Sequence, residues 1–165
     1  MIRIVLTLLS FFISLPGHAE SADFIDGTWF GKGVFQMGNS FVNCSDVMMK
    51  FSGNSQVFVV REASMTCDGL GPQKFTEVDT FSLAANGDLI FQNGVATVIK
   101  TGTKVGRVVG ARLTMLNPID EKKVDDIDIR LAGDTLVYVQ IAGVPGAQPD
   151  YALVAFLKKK GKDNP

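Results

Sequence analysis

The chain has 165 residues, 46% hydrophobic and 20% charged, with a formal net charge of −1. Its basic residues are scattered apart from Lys158-Lys159-Lys160 and Lys162 near the end, a balance that argues against a nucleic-acid partner. The length suits one domain with a core of its own.

Residues 1–19 read as an export signal: Arg3, an apolar run over 4–15, then Pro16-Gly17-His18-Ala19 with small residues placed for cleavage. The mature chain is expected to start near Glu20, giving a barrel domain over 20–158 and a disordered basic tail over 159–165. The apolar run is shorter than the ~20 residues a bilayer crossing needs, so no transmembrane segment is expected after cleavage and the location is periplasmic or secreted. The sole histidine, His18, falls on the signal side. Without an imidazole, Ser-His-Asp and Cys-His activation, His-based zinc and His-ligated haem are excluded, and neither a metal, a cofactor nor an enzymatic activity is expected. Cys44 and Cys67, exported together, read as a disulfide that contributes ~3 kcal/mol, mostly by restricting the unfolded chain.

Short β-prone segments broken by Gly and Asn follow, without sustained helical periodicity. In the first, 27–35, Trp29, Gly31, Gly33 and Phe35 share a face, and glycines on an aromatic face predict close backbone approach. Segment 41–51 alternates Val47, Met49 and Phe51 against Asp46, Met48 and Lys50, and 55–66 carries Val57, Phe58, Val59 and Val60. Antiparallel pairing of these two segments brings Cys44 and Cys67 together at the open side of the hairpin. Asn86-Gly87 and Asn93-Gly94 signal tight turns between 75–83, 88–92 and 95–100. Further strands are predicted over 108–116, over 124–131, where Asp126, Asp128 and Arg130 alternate against Ile127, Ile129 and Leu131, and over 135–142 and 151–157. About ten short strands in one chain favour an all-β, single-domain, up-and-down antiparallel barrel of 8–10 strands, with a β-sandwich as the alternative.

Gly27-Thr28-Trp29, opening the first strand of an exported chain with one disulfide, resembles the Gly-x-Trp signature of lipocalins and the wider calycin barrels. The resemblance implies a barrel with an apolar cavity, a Trp at its closed end, and a basic residue from late in the chain beside that Trp, for which Arg130 and Lys158 are the candidates. The implied function is non-covalent binding of a small hydrophobic or amphipathic, lipid-like ligand by a monomer. Trp29, Phe35, Met49, Phe51, Phe58, Phe81, Phe91 and Tyr138 are the candidate lining; they serve equally well as a filled core. Met48, Met49, Met65 and Met115 suit an adaptable pocket or ordinary gap-filling.

The chain is also similar to small exported bacterial inhibitors of secreted metalloproteases, β-barrels with an early Gly-x-Trp and one disulfide. That resemblance implies a protein partner, with Glu20-Ser21-Ala22-Asp23-Phe24 as the inserting segment. Asp120, Glu121, Asp125, Asp126 and Asp128 are dense but lack a calcium-loop pattern, and read as a solvated strand face. Glu77 and Asp79 share a strand face and are likewise expected to meet solvent. Gly102, Gly106 and Gly110, interrupted by charge, read as a bent strand or loop.

Overall fold

The computed structural model describes residues 20–76, 79–94 and 98–160. After a single 3-10 turn at Asp23–Ile25 come β1 (Gly27–Met37), β2 (Ser40–Gly53), β3 (Val57–Cys67), β4 (Gly71–Phe75), β5 (Asp79–Leu83), β6 (Asp88–Asn93), β7 (Lys104–Val109), β8 (Arg112–Pro118), β9 (Val124–Ala132), β10 (Thr135–Gly143) and β11 (Tyr151–Lys159). Every pairing is antiparallel, and the ladder closes on itself as a ring of ten strands. The expected all-β barrel is therefore present and the sandwich is not. β4 lies outside the count of ten because it prolongs the position of β5: residues 57–60 of β3 pair with β5 and residues 63–67 pair with β4.

The seam of the ring is β1 against β11, nine residue pairs from Trp29↔Lys159 to Met37↔Tyr151. The register of β1 against β2 shifts between Gly31 and Gly33, and these two inward glycines let β11 pass close by. A Cβ on Gly31 would overlap the Phe156 carbonyl, and one on Gly33 would stand 2.6 Å from the Val154 carbonyl oxygen and 3.2 Å from the Ala155 Cβ. The glycines on the aromatic face are thus the points where β11 approaches.

Side-chain parity sorts the strands as an antiparallel barrel requires. Val47, Met49 and Phe51 point inward from β2, and Ile127 and Ile129 from β9, while Lys50, Asp126 and Arg130 face out. Register shifts at residues 44–46 and near Arg61 let Cys44 join the inward set of β2 and carry β3 from Phe58 and Val60 to Ala63, Met65 and Cys67. Cys44 lies opposite Cys67 in that ladder and the disulfide is formed, with both cysteines buried.

The two ends of the barrel differ. At one end the chain from Glu20 to Asp26 crosses the floor. Ala22 and Ile25 are fully buried, the Ala22 N–H donates to the Asn54 carbonyl, the Gly53 N–H donates to Asp26 Oδ1, and the Gly110 N–H donates to the Glu20 carboxylate at 2.7 Å. Trp29 stands on this floor, its indole N–H donating to the Ile25 carbonyl at 2.8 Å. Lys159 lies over the Trp29 ring, 5.8 Å from its centroid, and the missing side chain of Gly27 leaves room for the lysine stem. The basic partner of Trp29 is therefore Lys159. Arg130 is exposed on the outer wall, and Lys158 pairs with Asp134.

Lys159 and Lys160 are not a disordered tail: Lys159 ends β11, the Lys160 N–H donates to the Thr28 carbonyl, and its ammonium sits 5.9 Å from the Phe30 ring centroid. The proposed signal (1–19) and the rest of the tail (161–165) lie outside the described residues.

Three predicted strands need correction. Segment 108–116 is two strands, because Gly110-Ala111 makes a tight turn between β7 and β8. Segment 75–83 is interrupted: Phe75 ends β4, Asp79 starts β5, and residues 77–78, including Glu77, are not described. The expected strand over 95–100 does not form in its described part. Residues 98–100 belong to a long β6–β7 connection, pinned where Phe91 exchanges hydrogen bonds with Gly102 and Thr103 and where Ile99 is buried. Asn86-Gly87 does turn β5 into β6 as expected, with Gly87 at φ 86°.

Replacing Gly33 with Val should lower stability by ~2 kcal/mol or more, because the new side chain meets backbone of β11 that cannot move without opening the seam. Lys32→Val, on the outer face of the same strand, should stay within about 0.5 kcal/mol in the same urea titration.

Candidate functional site

An antiparallel barrel of eight strands is just wide enough for its own side chains to fill, and diameter grows with strand number. A ring of ten has space left over, and where it lies follows from the placing of the bulky residues. Toward the floor, Ile25, Phe58, Leu89, Val108, Leu113, Leu136 and Leu157 are buried without exposed surface. Phe51, Phe58, Phe81 and Phe91 form a run of rings with successive centroids 5.8, 5.7 and 5.9 Å apart. Above them, toward the β1–β2, β8–β9 and β10–β11 connections, opens a cavity of about 450 Å³.

The predicted lining divides between these regions. Phe35, Met49, Phe51, Phe81 and Tyr138 border the cavity, with Met65, Met115, Ile127 and Leu153 completing much of its apolar wall. Trp29 belongs to the floor, and Phe58 and Phe91 to the packed aromatic run; none of the three borders the cavity. Both readings of the interior are realised, a filled core below and a hollow above.

The mouth half also holds a polar belt that the sequence reading missed. Asp79, Asn117, Asp125, Gln140 and Tyr151 all border the cavity. Each stands two residues beyond an inward apolar residue toward the mouth end of its strand: Asp79 before Phe81, Asn117 after Met115, Asp125 before Ile127, Gln140 after Tyr138, and Tyr151 before Leu153. Strand parity therefore turns these side chains inward. Two expectations fail here: Asp125 does not belong to the solvated outer face with Asp126 and Asp128, and Asp79 does not lie on a solvent-facing strand. Asp120 instead serves its own turn, accepting the N–H groups of Lys122 and Lys123, and Asp128 holds Arg112 on the outer wall.

The belt is hydrogen-bonded in one direction. Tyr138 donates its hydroxyl proton to Gln140 Oε1 at 3.0 Å, and Gln140 Nε2 donates to the two Asp125 oxygens at 3.0 and 2.9 Å and to the Tyr151 hydroxyl at 3.4 Å. The Tyr151 ring stacks on Phe35, 6.2 Å between centroids. Asn117 lies opposite Asp125 in the β8–β9 ladder, and its side-chain oxygen is buried without a hydrogen-bond partner. Burial pushes the Asp125 carboxyl up to about 6, against the lowering effect of the Gln140 hydrogen bond and with help from Asp126 and Asp79. Burial and the Asp125 charge raise both tyrosines, Tyr151 to about 12.

No protein-family model and no curated protein sequence matches the chain. The site is therefore read from its own geometry: an apolar cup closed below, open above, and rimmed inside by polar groups.

Because the folded-state value of Asp125 lies above that of an unfolded aspartate, the native protein holds the extra proton between about pH 4 and 6. Stability falls as pH rises through that window, and the deficit persists above it. Asp125→Asn should thus raise the urea-unfolding free energy by about 1–3 kcal/mol near neutrality, with the advantage vanishing below about pH 4.

Proposed function

We propose that this protein binds a small apolar or amphipathic ligand, non-covalently, in the mouth half of a calycin-like barrel, and that it acts as a binding protein and not as an enzyme. The observation that carries the reading is the cavity of about 450 Å³, closed at one end by the packed Phe51, Phe58, Phe81 and Phe91 rings and open at the other. Its size and character, mostly apolar with a few convergent polar groups, are those of a small-molecule site. The calycin reading is supported by the use the fold makes of Gly27-Thr28-Trp29, with the Trp on the barrel floor and a late basic residue, Lys159, over its ring.

Affinity would come from hydrocarbon leaving water. A guest burying ~200 Å² of apolar surface gains ~5 kcal/mol gross at ~25 cal/mol per Å², before the costs of immobilising it. Met49, Met65 and Met115 in the wall would let the cup adjust to the guest. An extracellular location fits the formed Cys44–Cys67 disulfide, and the leader reading of residues 1–19 supports export. The inhibitor alternative needs the segment from Glu20 to Phe24 to enter a protease cleft. Here that segment is engaged with the barrel, through Ala22 and the Glu20 carboxylate, so ligand binding has the better support.

The test is titration with N-phenyl-1-naphthylamine, a neutral apolar dye that brightens on leaving water. One dye should bind per chain, and Ala63→Trp, which fills the cavity from its wall, should weaken binding by about tenfold or more without loss of thermal stability. Absence of dye binding by the folded wild-type protein, or unchanged binding by the filled variant, would overturn the reading.

A further inference from the structure

The charges and hydrogen-bonding capacity of the cavity narrow the class of guest. The side chains that border it include the carboxylates Glu62, Asp79 and Asp125, and no Lys, Arg or His among the described residues. Two lysines at the edge of the cavity are held in ion pairs at 2.8 Å, Lys74 with Glu62 of the lining and Lys123 with Asp150 at the rim. Asp125 accepts both of its hydrogen bonds from the neutral Gln140 amide. A carboxylate buried among apolar groups without a cation is a costly arrangement, which a guest of opposite charge would relieve.

The donors and acceptors of the belt tell the same story. The Tyr138 proton is used by Gln140, and the Gln140 amide protons are used by Asp125 and Tyr151. What Asp125 itself has left for a guest is acceptor only, its remaining lone pairs, beside the one proton that the Tyr151 hydroxyl keeps to donate. An ammonium group has three donors and no acceptor, and so complements Asp125; a carboxylate has acceptors only and would add a further negative charge beside Asp125 and Asp79.

We propose that the cavity selects amphiphiles whose polar end is a protonated amine, held by the Asp125 carboxylate with the hydrocarbon directed toward Phe51 and Phe81, over fatty acids of the same length. This rests on the ligand-binding reading above. It also gives the inward carboxylate a task that a merely apolar cup would leave unexplained.

The experiment compares three guests of equal chain length, decylamine, decanol and decanoate, as competitors of N-phenyl-1-naphthylamine on the purified protein. At about pH 8 decylamine should bind at least about tenfold more tightly than decanol, and decanoate most weakly. Lowering the pH to about 5 protonates Asp125 while decylamine stays charged. Its advantage over decanol should then shrink severalfold; Asp125 shares the cavity with Asp79, Glu62, Asn117, Gln140, Tyr138 and Tyr151, with Asp126 behind it on β9. Asp125→Asn should abolish the preference at pH 8, with cooperative urea unfolding of the variant showing that it is folded. Equal or tighter binding of decanoate or decanol at pH 8 overturns the amine selection and leaves the cavity reading standing. So does an amine preference that ignores both pH and Asp125→Asn, because it would place the recognition elsewhere. If none of the three competes and the dye itself does not bind, the cavity reading falls together with this one.

Discussion

Everything in this structure depends on β1 pairing on both of its sides. An antiparallel sheet of ten strands has two open edges until the first strand meets the last, and β1 does so across nine residue pairs with β11 while keeping its ladder with β2. The close approach is possible because Gly31 and Gly33 carry nothing on the inner face where the backbone of β11 passes. Closure in turn fixes the interior: the strand number sets the diameter, and the diameter exceeds what the inward side chains fill. The cavity is a geometric remainder of how the seam is made.

How that remainder is distributed follows from the N-terminal crossing. Ala22, Ile25 and Trp29 occupy the space at one end, the Phe51, Phe58, Phe81 and Phe91 rings continue the packing upward, and the hollow is confined to the other end. Polar residues then replace apolar ones at the mouth ends of five strands. Placing Asp125 there costs stability, since burial drives its carboxyl toward the neutral form. Asp125 is thus a destabilising group held inside a cavity by a positioned hydrogen bond, while the outer wall is laced with ordinary ion pairs such as Arg112 with Asp128.

Much of the architecture was legible because it rests on period-two alternation and local turn chemistry. The inward sets of β2 and β9, the turn at Asn86-Gly87 and the opposition of Cys44 to Cys67 all follow from those rules. The misread segments break them. Val108–Val109 and Arg112–Leu116 look continuous because both sides of the Gly110-Ala111 turn are β-prone, and Asn93-Gly94 invites a tight turn that a ten-residue connection replaces. The candidate site was half legible. Its aromatic wall was visible, but Asp125 was grouped with Asp126 and Asp128 by closeness in sequence, when counting back two from Ile127 and Ile129 turns it inward. Lys159 was assigned to a tail because a run of lysines reads as solvated, and only the register of β11 against β1 shows it reaching Trp29.

The central claim is that the barrel is hollow at its mouth and holds a guest. Native mass spectrometry of the protein, purified without detergent, tests it most directly. The account predicts a population carrying the mass of one small molecule that is lost on denaturation, or, if the protein emerges empty, uptake of a single apolar guest on incubation. An empty mass that persists through incubation with such guests would contradict it, and would mean that the side chains of the mouth half close the space in solution.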